Sequence, residues 1–237
     1  NNGILEESIT RKDQPSTAKE GPNPKNQQPE INGMLAYYSC DANANDLSGN
    51  SNDAILSAIQ STENKGGNVN SAFRFDGKNS MLTIPGNSLS ASKEISISVW
   101  VLIDDFSTMF PGIIENFGGN SGYLLNIGKD QHFRFFIGKG DENYLAVRSQ
   151  TLLESGVWYH VVGTYNNNNI KLYINGKLED AKAFDNGMNI ISKNPVLIGN
   201  DNCCGTSRHF KGKMDEIRIF DRALTTSEIN KLYASNY

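Results

Sequence analysis

Asp215 is the residue whose type and position in the sequence point most directly to chemistry. It lies in the alternating stretch 214–220, where an extended chain places its carboxylate on the same face as Ile217 and Ile219. A carboxylate among apolar side chains has to be protonated, paired or bound to a cation. Two interpretations follow: a cation site, or pairing with Arg218, Lys213 or a backbone N–H.

Two further aspartates lie near the end of the first apolar stretch. Asp41 is its last residue, and Asp46 lies in the turn that follows. Carboxylates with carbonyl and side-chain oxygens from a turn suit Ca²⁺, which takes six to eight oxygen ligands. Asp41, Asp46 and Asp215 are therefore the candidate ligands of a structural calcium ion. The alternative is that Asp41 and Asp46 cap a turn.

Adjacent cysteines, Cys203 and Cys204, precede a glycine in a predicted loop. A vicinal disulfide would stiffen the loop tip, and it requires an oxidising compartment. Two free thiols are the alternative, and a zinc site with His209 lacks a fourth ligand. We expect Cys40, the third cysteine, to lie in or near the core.

The histidines and aromatic residues give weaker signals. His160 alternates with Trp158 and Val162 in a strand pattern, which favours a hydrogen-bonded structural histidine over a general base. Aromatic residues on or near predicted strands could stack against a sugar, although they pack in cores more often. These are Tyr123, Phe136, Tyr144, Trp158 and Tyr165.

The elements that would position these residues are predicted to be mainly β-strands. Residues 94–103 alternate with period two, and residues 132–137 place Phe133, Phe135 and Ile137 on one face. Asn175-Gly176 predicts a type I′ hairpin, and Asp76-Gly77 predicts a similar hairpin between 72–75 and 81–84. One helix is predicted after Thr225, whose capping box includes Glu228, and it should cover an edge of the sandwich.

Composition and charge narrow the class of protein. The 237 residues carry a formal net charge of −4 without a Lys/Arg cluster, which argues against nucleic acid and anionic lipid as partners. The sequence contains no apolar run of about 20 residues, the length that crosses a bilayer. Residues 1–33 are polar and proline-containing, and we interpret them as a flexible linker or tether before a domain at 34–237.

Three stretches together resemble a known family. They are MLAYYSCD at 34–41, WYHVVGTY at 158–165 and FKGKMDEIRIFDRALT at 210–225. In this order they resemble the laminin-G-like domains of the concanavalin A-like lectin/glucanase superfamily, over about 200 residues. The resemblance implies an all-β fold, a two-sheet antiparallel β-sandwich of the jelly-roll type, with one short C-terminal helix.

The resemblance also carries expectations about the calcium site and the setting. It implies that the first and last strands pair antiparallel, which would bring Asp41 near Asp215. It implies a secreted, periplasmic or cell-surface bacterial protein, tethered through the N-terminal linker. We expect a monomer.

The expected function is a non-catalytic binding module for a glycan or a cell-surface protein. Its ligand would be held by loops such as 104–112, 117–122 and 200–209. Two alternatives stay open: an architectural or protein-interaction domain, and a glycoside hydrolase. The sequence lacks the Glu-x-Asp-x-x-Glu or Glu-x-Asp-x-Glu strand that usually carries catalytic carboxylates in jelly-roll glucanases, so the enzyme ranks last.

Overall fold

A computed structural model shows an antiparallel β-sandwich capped by one helix. It describes residues 30–86, 89, 93–118, 121–138, 144–183, 190–202 and 206–235. The strands in chain order are β1 (Met34–Tyr38), β2 (Ile55–Ser57), β3 (Gln60–Thr62), β4 (Ala72–Asp76), β5 (Met81–Ile84), β6 (Ile95–Ile103), β7 (Gly112–Gly118), β8 (Ser121–Ile127), β9 (Phe133–Gly138), β10 (Tyr144–Arg148), β11 (Trp158–Tyr165), β12 (Asn169–Ile174), β13 (Lys177–Ala183), β14 (Val196–Ile198) and β15 (Lys211–Phe220). The helix is α1 (Thr226–Ala234).

The strands form two sheets, in which every pairing is antiparallel. The eight-stranded sheet has the order β13-β12-β11-β6-β15-β4-β3, and β1 also pairs with β15. The seven-stranded sheet has the order β10-β9-β8-β7-β14-β5-β2. Neighbouring strands are often far apart in the sequence, as in a jelly roll. The predicted fold class is confirmed.

The core lies between the two sheets and follows the predicted alternation. The apolar side of β6, from Ile95 to Ile103 at every second position, is buried. From the seven-stranded sheet, Phe133, Phe135 and Ile137 of β9 meet it as predicted. Burial of such aliphatic and aromatic side chains contributes roughly 1.5–3 kcal/mol each.

Part of the outer side of the eight-stranded sheet is also buried, which the alternation does not reveal. Helix α1 packs Ile229 and Leu232 against Val162, Tyr173 and Phe220 of that sheet. The capping box of Thr225 and Glu228 is present as predicted. The helix covers the face of the sheet, however, and not an edge of the sandwich. The prediction of its position was wrong, because an apolar outer row runs across three strands and needs a cover.

One of the two predicted hairpins is confirmed and the other is wrong. Asn175 and Gly176 have φ angles of 51° and 79°, and they join β12 to β13. Asp76-Gly77 does form a turn, but β4 and β5 lie in different sheets. The Asp76 carboxylate accepts the backbone N–H groups of residues 78–80, so its turn carries the chain from one sheet to the other.

The folded unit begins by Ile31, three residues before the predicted domain boundary. Ile31 is buried beside helix α1, and the Asn32 carbonyl accepts a hydrogen bond from Arg222. The predicted linker lies otherwise outside the described residues. Within the described ranges, no helix has the length and apolar character needed to cross a membrane.

Candidate functional site

The outer side of the seven-stranded sheet carries a row of partly buried residues that do not belong to the core. Because Phe133 and Phe135 face the core, the intervening Arg134 and the following Phe136 face outward. In the neighbouring strands, Leu124 stands opposite Phe136, Glu115 stands opposite Leu124, and Asn126 stands opposite Arg134. These residues therefore face the same outer side. An outward-facing strand residue is normally solvated, so its burial shows that something covers it.

Two of the predicted ligand loops provide that cover. The Gly112 N–H donates to the Arg208 carbonyl at 3.1 Å, which joins the loop before β7 to the loop before β15. The Ile127 N–H donates to the Pro111 carbonyl at 3.2 Å, which pins the first loop to β8. The third predicted loop, 117–122, lies partly outside the described residues.

Phe110 is held in an unusual conformation by this loop junction. Its φ angle is 58°, in the left-handed region that bulky residues rarely adopt. Its ring lies 4.8 Å from the guanidinium carbon of Arg134 and 5.3 Å from that of Arg208. Backbone strain of this kind persists only where surrounding contacts fix it. The loops therefore present Phe110 in one defined position.

Arg134 links Phe110 to two more aromatic rings. The Phe136 ring lies 5.8 Å from the Arg134 guanidinium carbon, and the Tyr144 ring lies 5.3 Å from Phe136 at an interplanar angle of 63°. Tyr144 is 58% exposed, so this end of the row is open to solvent. We call Phe110, Arg134, Phe136 and Tyr144 the aromatic–arginine surface. Apolar ring faces beside a planar guanidinium can pack against a sugar ring and also donate hydrogen bonds.

Glu115 lies beside this surface in an electrostatically unusual environment. Burial raises its pKa to about 7. The hydrogen bond that the Asn202 N–H donates to Oε2 at 2.8 Å acts in the opposite direction and lowers the pKa. The Asp201 carboxylate raises the pKa further, and Arg208 lowers it. Arg208 in turn lies 3.5 Å from Asp201. The charge beside the aromatic–arginine surface therefore changes near neutral pH.

Asn126 provides an unsatisfied polar group at the same place. It is only 4% exposed, and its Oδ1 has no hydrogen-bond partner among the described residues. It stands opposite Arg134 in the register of β8 and β9, and the Arg134 Nε is likewise buried without a partner in the described part of the chain. Buried polar atoms in proteins are normally paired, so these two atoms retain hydrogen-bonding capacity that the described protein groups do not use.

The predicted calcium ligand Asp46 has a different role. Its Oδ1 accepts the N–H groups of Tyr37 and Ser48, at 3.0 and 2.9 Å. Its Oδ2 accepts the Ser48 hydroxyl at 2.8 Å and the Asn52 N–H at 3.0 Å. Four donors occupy the lone pairs of both oxygens, which leaves no place for a cation. Asp46 therefore does not fit as a calcium ligand and instead ties the turn to β1.

Asp41 and Asp215 are brought to the same region, although not with the predicted geometry. Strands β1 and β15 pair antiparallel, as expected. Cys40 is fully buried, and burial raises the pKa of its thiol, as do the carboxylates of Asp215, Glu216 and Asp41. Cys40 is a free thiol within the core, which confirms that prediction.

The orientation predicted for Asp215 was wrong. A bulge interrupts β15 at Glu216, whose φ angle is 54°, and Asp215 stands opposite Trp100. Trp100 faces away from the core, so Asp215 lies on the outer face while Ile217 remains inside. One Asp215 oxygen accepts the Glu216 N–H at 2.9 Å. The extra residue of the bulge reverses the face that simple alternation assigns.

The three predicted metal ligands do not form a cluster. Within the described part of the chain, no group of three or more His, Cys, Asp or Glu side chains is arranged to hold a metal ion. Calcium bound by Asp41 and Asp215 with backbone oxygens stays a prediction. The predicted disulfide between Cys203 and Cys204 lies outside the described residues.

His160 belongs to a buried network under helix α1. Its Nε2 lies 2.9 Å from the Ser98 hydroxyl, and its ring contacts Trp100 at 5.1 Å. Burial lowers its pKa to about 3, so the imidazole is neutral at physiological pH. Nearby, the buried Glu216 carboxylate pairs with Arg218. These contacts fit the structural role predicted for His160.

A shallow cavity of about 560 Å³ at one end of the sandwich is a weaker candidate. Its charged groups already have partners: Arg74 pairs with Asp104, and Lys211 pairs with Asp105. Asp76 accepts three backbone N–H groups. The aromatic–arginine surface, which retains unsatisfied donors and acceptors, is better suited to a ligand.

Comparison with known proteins assigns the family. Residues 76–230 match the family model described as the concanavalin A-like lectin/glucanases superfamily, which is more than half of the chain. The chain belongs to this superfamily. The resemblance stated from the sequence is thereby confirmed, and the match covers β5 to β15, including the strands that carry the candidate site.

Similar folds occur in solved structures of low sequence identity. Domain 4 of an extracellular GH43 arabinanase from Geobacillus stearothermophilus, solved with arabinotriose, has a TM-score of 0.69 and 22% identity, covering 84% of this chain and 98% of that one. The binding domain of Paraclostridial Mosquitocidal Protein 1 has a TM-score of 0.70 and 19% identity, covering 86% and 52%. The receptor-binding domain of a botulinum neurotoxin C/D mosaic serotype has a TM-score of 0.66 and 19% identity, covering 85% and 51%. The chain thus spans about half the length of the toxin domains.

Sequence reasoning found part of this site and missed the rest. It named Phe136 and Tyr144 among five candidate aromatics, and the structure separates these two from Tyr123 and Tyr165, which are buried in the core. It did not single out Arg134 or Phe110. The signal for Arg134 was present, because a charged residue alternating with Phe133 and Phe135 must lie on the outer face. The position of Phe110 depends on contacts between distant loops.

Proposed function

We propose that the protein is a non-catalytic carbohydrate-binding module whose ligand lies on the aromatic–arginine surface. The observation that carries this proposal is the row of rings from Phe110 to Tyr144, outside the core and beside buried polar atoms without partners. Carbohydrates present apolar C–H faces and hydroxyl groups together. A mostly apolar surface with a few convergent polar groups provides both kinds of contact.

The comparisons support this proposal in general terms. The arabinanase domain that resembles this chain over nearly its whole length was solved with a bound arabinotriose. The toxin domains of similar fold are binding domains. Each name describes what that protein does, and the shared fold supports a binding role for this chain without specifying its ligand.

A glycoside hydrolase is the enzyme alternative, and Glu115 is the carboxyl that would favour it. A pKa of about 7 suits a general acid, and Asp201 lies close enough to influence it. Both side chains are almost completely buried, however, at 5% and 0% exposure. Two catalytic carboxylates must flank an accessible glycosidic bond, which this arrangement does not provide. We therefore propose binding without hydrolysis.

The setting belongs to the same proposal. We infer a secreted, periplasmic or cell-surface location, tethered through the segment before Ile31, and a monomeric state. A calcium ion bound by Asp41 and Asp215 would stabilise the pairing of β1 with β15 and would lie outside the ligand surface. An architectural or protein-interaction role is the alternative if the protein binds no glycan.

A glycan array of plant, mucin and bacterial saccharides tests the proposed function. The full chain is expected to bind at least one saccharide class, and Tyr144→Ala should weaken that binding about tenfold because an exposed stacking face is lost. Tyr233→Ala, which removes a partly exposed tyrosine on the opposite side of the sandwich, is the matched control. Absence of binding across the array would overturn the proposal, and release of reducing sugar from a bound glycan would favour the hydrolase.

A further inference from the structure

Arg134 is the cation of the candidate surface without a close ion pair among the described residues. Burial lowers the pKa of its guanidinium, and the nearby Asp130 carboxylate only partly opposes that shift. The other two arginines there are paired: Arg148 lies 2.7 Å from Asp130, and Arg208 lies 3.5 Å from Asp201. Arg134 forms no ion pair within the described residues, and its Nε is buried without a hydrogen-bond partner there. A partly desolvated guanidinium with donors to spare gains more from an anion than a solvated one does.

The geometry around Arg134 fixes its orientation. The rings of Phe110 and Phe136 lie 4.8 and 5.8 Å from its guanidinium carbon. At Gly128, an added Cβ would lie 2.1 Å from the Asp130 Oδ1 and 2.7 Å from both the Nε and one terminal nitrogen of Arg134, so the glycine leaves room for both side chains. A planar fork held between rings loses little side-chain entropy when it binds, and it matches the two oxygens of a carboxylate.

Charged groups of both signs lie around the surface, and one of them titrates near neutral pH. Three arginines, at 134, 148 and 208, face the carboxylates of Asp130, Asp201 and Glu115. Because burial raises the pKa of Glu115 to about 7, its negative charge is lost in mildly acidic solution. Loss of this charge reduces the repulsion that an anion meets at the surface, where the Asp180 carboxylate also accepts the Arg148 N–H.

We propose that the aromatic–arginine surface binds saccharides that carry a carboxylate, of the uronic acid or sialic acid kind, and that Arg134 holds the carboxylate. This inference rests on the proposed carbohydrate-binding function and names its ligand class. The sugar ring packs on Phe136 and Tyr144 while the carboxylate faces the donors of Arg134. Asn126, which stands opposite Arg134 in the register, is too buried to contact the sugar and supports the strand behind the guanidinium.

Calorimetric titration of the full chain with two matched pairs of saccharides tests the inference. One pair is an oligogalacturonate and its methyl ester, and the other is sialyllactose and lactose. In at least one pair, the acid should bind about tenfold more tightly than its neutral counterpart, because a charge-assisted bidentate contact is present only with the acid. The pair that shows the preference identifies the source of the carboxylate.

Arg134→Gln is expected to reduce the ratio of acid to neutral affinity to near one. Arg134→Lys retains the charge without the planar fork and should give an intermediate ratio. Lys177→Gln removes the same charge from an exposed position on the edge strand of the other sheet, and should leave the ratio unchanged. Melting curves of each variant establish that it is folded.

The outcomes separate this inference from the proposed function. Equal affinity for acid and neutral members of both pairs would overturn the carboxylate inference while the carbohydrate-binding function stands. A preference for the acid that survives Arg134→Gln would overturn the role of Arg134. Absence of binding to all four saccharides and to the glycan array would overturn the function and, with it, the inference.

Discussion

Glu115 makes the stability of the fold depend on pH in a direction opposite to that of a typical surface carboxylate. Burial raises its pKa from 4.5 to about 7, so the folded chain holds this proton over a range where the unfolded chain releases it. The stabilisation is complete below the unfolded pKa and is lost as pH rises through about 7. The shift corresponds to roughly 3 kcal/mol between these limits.

Glu115→Gln should therefore flatten the dependence of stability on pH. The glutamine retains an oxygen that can accept the Asn202 N–H, but it does not titrate. Urea unfolding at about pH 5 and about pH 8 measures the effect, and wild type should lose more stability over this interval than the variant. Wild type and the variant have all other titrating groups in common, so the difference between their losses of stability reports on Glu115 alone. Identical losses would contradict the raised pKa.

Individual outer residues were only partly predictable. The alternation in residues 132–137 assigned Phe133, Phe135 and Ile137 to the core, and by the same rule it placed Arg134 and Phe136 outside. What makes Arg134 a candidate ligand group is its buried Nε without a partner among the described residues and its position near two rings. One of those rings, Phe110, comes from a loop, and loop conformation does not follow from residue periodicity.

An aspartate in the turn after β1 can either hold the turn together or bind calcium, and the sequence could not distinguish these two roles. Asp46 accepts four hydrogen bonds from its own turn and from β1, whereas Asp41 lies near Asp215 at the end of the β1–β15 pair. Aspartates cap turns and bind calcium with the same oxygens. Only the positions of the N–H donors show which function a given carboxylate serves.

Thermal melting in calcium and in EDTA should separate these roles. If Asp41 and Asp215 bind calcium, wild type melts higher in calcium, and Asp41→Ala abolishes the difference. Asp46→Ala should lower stability by about 2–4 kcal/mol in both conditions, because its donors lose their acceptor, while the response to calcium remains. A wild-type melting temperature unaffected by EDTA would remove the calcium prediction. Loss of the calcium response in Asp46→Ala would contradict the role given to Asp46.

Local patterns predicted the elements better than their arrangement. The capping box at Thr225 and the Asn175-Gly176 hairpin are encoded within a few residues, and both are present. The Asp76-Gly77 turn was also recognised, but the strands that flank it lie in different sheets, where β4 pairs with β15 and β5 pairs with β14. The bulge at Glu216 depends on the packing of β15 against its neighbours, and alternation alone cannot show it.

For the molecule as a whole, the fold was predictable because many weak signals agree. Short alternating strands, frequent turns and three family-like stretches all indicated one sandwich. The ligand surface was not predictable in the same way. It combines β9 and β10 with the loop at 104–111 and with Asp201 and Arg208, and it depends on which charges are already paired. Such a site follows from three-dimensional contacts and not from a motif.

The central claim is that ligands bind on the outer side of the seven-stranded sheet, and a crystal structure with a saccharide selected from the array tests it most directly. The sugar is predicted to lie against Phe136 and Tyr144, with its polar groups within hydrogen-bond distance of Arg134. A sugar bound over helix α1 on the eight-stranded sheet, or in the cavity beside Arg74, would contradict the claim.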